Sequence, residues 1–102
     1  MLHVLAFITA HPGERDKLLA EFRANVPAVR AEAGCIEYGA TVDVEGFSGF
    51  QTPLGPDTFV VVEKWASADA LKAHANAPHM VAYAAKTKPM LARRVIHVLT
   101  PT

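Results

Sequence analysis

Thr58-Phe59-Val60-Val61-Val62-Glu63-Lys64-Trp65 runs, after Ala66, into Ser67-Ala68-Asp69-Ala70-Leu71-Lys72-Ala73-His74-Ala75-Asn76-Ala77-Pro78-His79. The first eight residues are almost all β-branched or aromatic and predict a strand. Ser67 is a good N-cap for the helix that follows, and Asp69 in its first turn suits the helix dipole. Pro78 breaks that helix and can begin another, carrying His79, Ala82, Tyr83 and Lys86. A glutamate, a tryptophan and two histidines therefore fall within one strand-to-helix unit. Such a concentration of polar, titratable and aromatic groups is what a small-molecule pocket needs.

Upstream, His3 to Thr9 is a short apolar run closed by His11-Pro12-Gly13, a strand with both faces largely buried. Leu18, Leu19, Phe22, Val26 and Val29 then recur at helical spacing, with Arg15, Lys17, Glu21 and Arg23 on the other side. Pro27 predicts a kink or an early stop, and Gly34 ends the element. Cys35 to Val44 alternates, with Ile36, Tyr38, Ala40, Val42 and Val44 facing one way. Gly46 to Asp57 holds three glycines and two prolines and reads as a loop. Beyond Pro89, Arg93 to Leu99 makes a last strand.

The order strand, helix, strand, strand, helix, strand predicts an α+β domain. Right-handed crossovers give a ferredoxin-like four-stranded antiparallel sheet with helices on one face. The other face is too apolar to be wet, so two copies packing through their open sheet faces would form a dimeric α/β barrel. At 102 residues the chain is a single domain, 1–102, able to bury roughly two-thirds of its unfolded surface.

Ten acidic and ten basic residues cancel, so there is no field to attract nucleic acid or an anionic membrane. Lys86, Lys88, Arg93 and Arg94 form only a modest basic cluster. Leu2 to Ala10 is too short to span a bilayer and has no basic lead. The single Cys35 excludes an intrachain disulfide, and a cytoplasmic location is the expectation.

Alternation places Phe59, Val61, Glu63 and Trp65 on one strand face, and Leu71 and His74 share a helix face. Together they are expected to border a cleft between sheet and helices. Each has a plainer structural alternative. His74 can be a core-edge histidine bonded to a carbonyl, and His79 a half-exposed residue at a helix start. Trp65 and Tyr38 can be core, and Glu63 the partner of a histidine or arginine. No spacing suggests a metal site, a nucleophile triad or a phosphate loop, so no cofactor and no metal are expected. What remains is acid–base chemistry. A histidine supported by a carboxylate can deprotonate a phenol or enolise a carbonyl compound.

Arg30-Ala31-Glu32-Ala33-Gly34-Cys35-Ile36-Glu37-Tyr38 resembles the R-x-E-x-G-C-x-x-Y signature of the antibiotic biosynthesis monooxygenase family. Phe59 to Trp65 resembles its F-V-x-x-E-x-W, and Ala70 to His79 its A-L-x-x-H-x-x-x-P-H. The resemblance, close to the quinol monooxygenases, implies a homodimeric barrel with a pocket in each subunit. It also implies oxidation of a quinol or polyphenol by dioxygen without a prosthetic group. His74, His79 and Glu63 then become the catalytic candidates, with Glu63 orienting a histidine. Trp65, Tyr38 and Phe59 become the substrate-binding candidates. Arg30 and Glu32 match too, in a salt-bridge or helix-end role. The loop from Gly46 to Asp57, with Phe47 and Phe50, is longer than the family's usual connection. It can lid the pocket, clasp the partner or be a plain surface loop. Phe7-Ile8 stands where haem-degrading relatives have an asparagine, which disfavours haem breakdown. The rival functions are an isomerase of a small carbonyl or sugar-derived metabolite and a non-catalytic metabolite-binding dimer.

Overall fold

Alternate residues of the first strand, Val4, Ala6, Ile8 and Ala10, turn their side chains into the core. They belong to β1 (Leu2–Ala10), the first element of the computed structural model, which describes residues 1–102. After it come α1 (Arg15–Arg30), β2 (Cys35–Thr41), β3 (Thr58–Trp65), α2 (Ala68–Asn76) and α3 (Pro78–Thr87). A single 3₁₀ turn, Lys88–Met90, leads into β4 (Leu91–Leu99). The sheet order is β2-β3-β1-β4 with every neighbouring pair antiparallel. This is the ferredoxin-like plan, with all three helices on one face.

Cross-strand register fixes which side chains share that covered face. Val4 pairs with Glu63, Ala6 with Val61 and Ile8 with Phe59. Leu18, Leu19, Phe22 and Val29 of α1 close over them, and each buried side chain of that size contributes roughly 1.5–3 kcal/mol. Phe22 is the hub, stacked on Tyr38 at 5.2 Å and edge-on to Phe59 at 5.8 Å.

Three local expectations change. Helix α1 runs through Pro27 to Arg30 without stopping. Pro27 and Arg23 both lie exposed, so water can take the Arg23 carbonyl that the proline leaves without a donor. In β2 the alternation fails, because Cys35 pairs with Trp65 and Glu37 with Lys64, leaving Ile36 as an extra residue. That bulge turns Ile36 outward while keeping Tyr38 in the core. The strand also ends at Thr41, so Val42 and Val44 are exposed.

The Gly46 to Asp57 loop is tied to its own base. The Asp43 carboxylate accepts the backbone N–H groups of Leu54 and Gly55, which holds it below the usual carboxylate range. Phe47 and Phe50 meet edge-on at 5.3 Å, with Phe50 91% exposed. Neither phenylalanine belongs to the hydrophobic core.

Gly34 makes the turn between α1 and β2. Its φ is +83°, and a Cβ there would come 2.6 Å from the Ala70 Cβ of α2. Only glycine combines that backbone with that approach. The contact clamps the α1–β2 corner, which carries Glu32, against the helix that carries His74.

Candidate active site

Ser67 accepts the Ala70 N–H at 3.1 Å and starts α2 in the phase that turns His74 inward. Its imidazole lies 4.6 Å from the Trp65 indole, tilted by 35°, and 5.6 Å from the Tyr38 ring. At the end of α2 the Ala77 N–H returns to the His74 carbonyl, and Pro78 opens α3. This change of direction brings His79 back beside its neighbour's partner.

That partner is Glu32, on the corner after α1. A single oxygen, Glu32 Oε2, lies 2.8 Å from His74 Nδ1 and 2.9 Å from His79 Nε2. A carboxylate only accepts hydrogen bonds, so His74 carries its proton on Nδ1 and His79 on Nε2. The two rings are thereby held in opposite tautomers.

Glu63 does something else. Its Oε1 accepts the Trp65 indole N–H at 2.8 Å, and it makes no hydrogen bond to either histidine. The carboxylate bonded to the histidines is Glu32 rather than the expected Glu63, and it lies 42 and 47 residues away in sequence from the rings it holds. Burial pushes the Glu63 carboxyl up, partly opposed by the Trp65 bond and by His74. Burial likewise drives the Tyr38 phenol far up and holds the Tyr83 phenol at about 12. The Cys35 thiol is raised by burial and by the nearby Glu32 and Glu63 carboxylates.

The expected residues thus meet, but not around an open hollow. Trp65 and Phe59 are fully buried, and Glu63, Tyr38 and His74 are each under 7% exposed. Trp65 packs against the His74 ring, and Phe59 fills core under Phe22, so neither presents a free face to a bound ring. Arg30 donates two hydrogen bonds to the Tyr38 carbonyl, tying the helix end to β2.

Two of the molecule's hollows bear on function. One, of about 240 Å³, lies between α1 and α3 and is lined by Glu21, Ala24, Asn25, His79, Ala82, Tyr83 and Lys86. His79, with 30% of its side chain exposed, joins the buried cluster to that hollow. The other, of about 290 Å³, lies on the open sheet face among Phe7, Thr9, Thr58, Arg93, Val95 and His97. No set of three or more His, Cys, Asp or Glu side chains is arranged to hold a metal ion. No helix is long and apolar enough to cross a membrane.

The sequence model of the antibiotic biosynthesis monooxygenase family matches residues 1–86. The chain is 38% identical to a protein of Escherichia coli (strain K12) named "Probable quinol monooxygenase YgiN", over 99% of this chain and 98% of that one. Among solved structures, PA3566 from Pseudomonas aeruginosa superposes with a TM-score of 0.82 at 31% identity, covering 99% of this chain and 93% of its own. Rv0793 from Mycobacterium tuberculosis gives 0.80 at 28% identity, covering 99% and 94%.

Proposed function

The chain belongs to the antibiotic biosynthesis monooxygenase family, and from that membership we propose that it oxidises a single-ring quinol or similar hydroxylated aromatic with dioxygen. The observation that carries the assignment to a site is His79. It joins the Glu32-centred cluster to the open α1–α3 hollow. With Nε2–H given to Glu32, Nδ1 is left as the ring's proton acceptor.

A substrate hydroxyl in the α1–α3 hollow gives its proton to His79 Nδ1. The O–H bond breaks, the N–H bond forms, and the electron pair stays on the substrate oxygen. The electron-rich ring then reduces dioxygen, and the balance is quinol plus O₂ to hydroxyquinone plus water. Dioxygen is the four-electron oxidant, one of its atoms entering the ring and the other leaving as water, and all four electrons come from the substrate. Glu32 lies beside the imidazolium so formed and stabilises its charge. In this reading Trp65, Tyr38 and Phe59 shape the wall behind the histidines rather than clamp the ring, and Glu63 buttresses Trp65.

Homodimerisation through the open sheet face is part of the proposal. Leu5, Phe7, Val62 and Val95 lie together there by register, and no helix covers them. An apolar band of this kind is stable when a second copy covers it.

The test is oxygen uptake with a panel of quinols by chelator-treated protein and by His79→Ala. A general base contributes about 10²–10⁴-fold, so uptake should survive chelation and fall by that factor in the variant. Uptake lost on chelation, or unchanged when both His74 and His79 are replaced, refutes the mechanism. Product formed under strict anaerobiosis would instead favour the isomerase.

A further inference from the structure

Two imidazoles on one carboxylate oxygen are more than a structural tie. His74 is buried, with 7% of its side chain exposed, whereas His79 reaches the α1–α3 hollow, and Glu32 itself is 13% exposed. Oε2 accepts from both at charge-assisted distances of 2.8 and 2.9 Å. Neither ring has another hydrogen-bond partner within the chain to set its tautomer. Remove Glu32 and nothing remains to keep the proton of His74 on Nδ1, or that of His79 on Nε2.

We propose that Glu32 is the positioning residue of this site, one oxygen that sets the tautomer and orientation of both histidines and couples the buried ring to the solvent-facing one. This rests on the function proposed above for its catalytic consequence, but not for its geometric one. Glu32 holds the His79 proton on Nε2, which keeps Nδ1 turned away from the carboxylate and free to accept a proton. His74, pinned to the same oxygen and packed against Trp65, fixes where that oxygen lies. Trp65 is in turn held by Glu63, so the line from Glu63 through Trp65, His74 and Glu32 to His79 is continuous. Gly34, two residues beyond Glu32, locks the corner against α2.

The experiment has two readouts on the full chain. Long-range ¹H–¹⁵N correlation of the imidazoles should show the wild-type His74 as the Nδ1–H tautomer and His79 as Nε2–H. In Glu32→Ala both patterns should change together. In Glu32→Gln, which serves if the alanine variant does not fold, both N–H resonances should move because the acceptor has lost its charge. Either ring keeping its wild-type signature in both variants overturns the proposal. The second readout is kinetic: with a quinol that the wild type turns over, Glu32→Gln should lower kcat by about 10²-fold or more with KM changed less than about threefold. A rise in KM alone would mean that Glu32 only shapes the hollow, and would overturn it. If no quinol is turned over, the proposed function fails while the resonance readout still judges Glu32.

Discussion

Replacing Trp65 by phenylalanine removes the one hydrogen-bond donor of a buried carboxylate and leaves most of the packing in place. The indole N–H meets Glu63 Oε1 at 2.8 Å, where Trp65 is fully buried and Glu63 is 6% exposed. A hydrogen bond to a charged group contributes roughly 1.5–3 kcal/mol. The smaller ring leaves a space costing about 1 kcal/mol more. Together the loss is about 3 kcal/mol, which at about 5 °C per kcal/mol for a chain this size lowers Tm by about 15 °C. The deficit should depend on pH, and its sign is fixed. Burial already raises the Glu63 carboxyl, and the indole bond opposes that rise. Without the bond the folded state holds the Glu63 proton more tightly still, so stability falls further as pH climbs through the raised value. The deficit is therefore smallest in acid, where Glu63 is neutral, and largest at neutral pH and above. Thermal melts of wild type, Trp65→Phe and Trp65→Phe/Glu63→Gln from acid to neutral pH measure it. The double variant should recover part of the neutral-pH loss, because a buried amide costs less than a buried carboxylate. A deficit independent of pH, or no recovery in the double variant, refutes the reasoning.

Three further outcomes are expected. Gly34→Ala should lose about 2 kcal/mol or more in thermal melts, since it forces a side chain onto φ +83° and into the Ala70 Cβ at 2.6 Å. Ser67→Ala should lose about 1 kcal/mol by the same assay, through the missing bond from the Ala70 N–H. Val62→Lys, on the sheet face that no helix covers, should turn a dimer into a monomer by sedimentation equilibrium. A wild type that sediments as a monomer would remove the dimer from the account.

How far the sequence could be read depends on whether a feature is local. The alternation of Phe59, Val61, Glu63 and Trp65 is a property of one strand, and it placed all four on the covered face. The Ser67 cap fixed the phase of α2 and thus the inward turn of His74. The bulge at Ile36 was illegible, because it depends on how β2 registers against β3 and not on β2 alone. The continuation of α1 past Pro27 depends on that face being wet. Glu32 is legible only in part: the resemblance gives it a salt bridge, and the fold supplies the two histidines as its partners. Its tie to His74 and His79 arises from the Gly34 corner packing on Ala70, a contact between elements that no spacing within one element reveals. The pairing of Gly34, which demands a positive φ, with a small Ala70 was the available signal. Glu63 falls on the family motif and on the covered strand face, yet in the fold its carboxylate turns to the indole two residues on.

The central claim is that the Glu32-bound His79 takes a proton from a quinol before dioxygen is involved. Anaerobic mixing of a quinol with the protein, followed by absorbance, isolates that step. The account predicts the spectrum of the bound deprotonated quinol with wild type, its absence with His79→Ala, and its decay to hydroxyquinone when dioxygen is admitted. The same spectrum at full amplitude with His79→Ala, or a quinol that stays protonated on the wild type yet is oxidised, would contradict it.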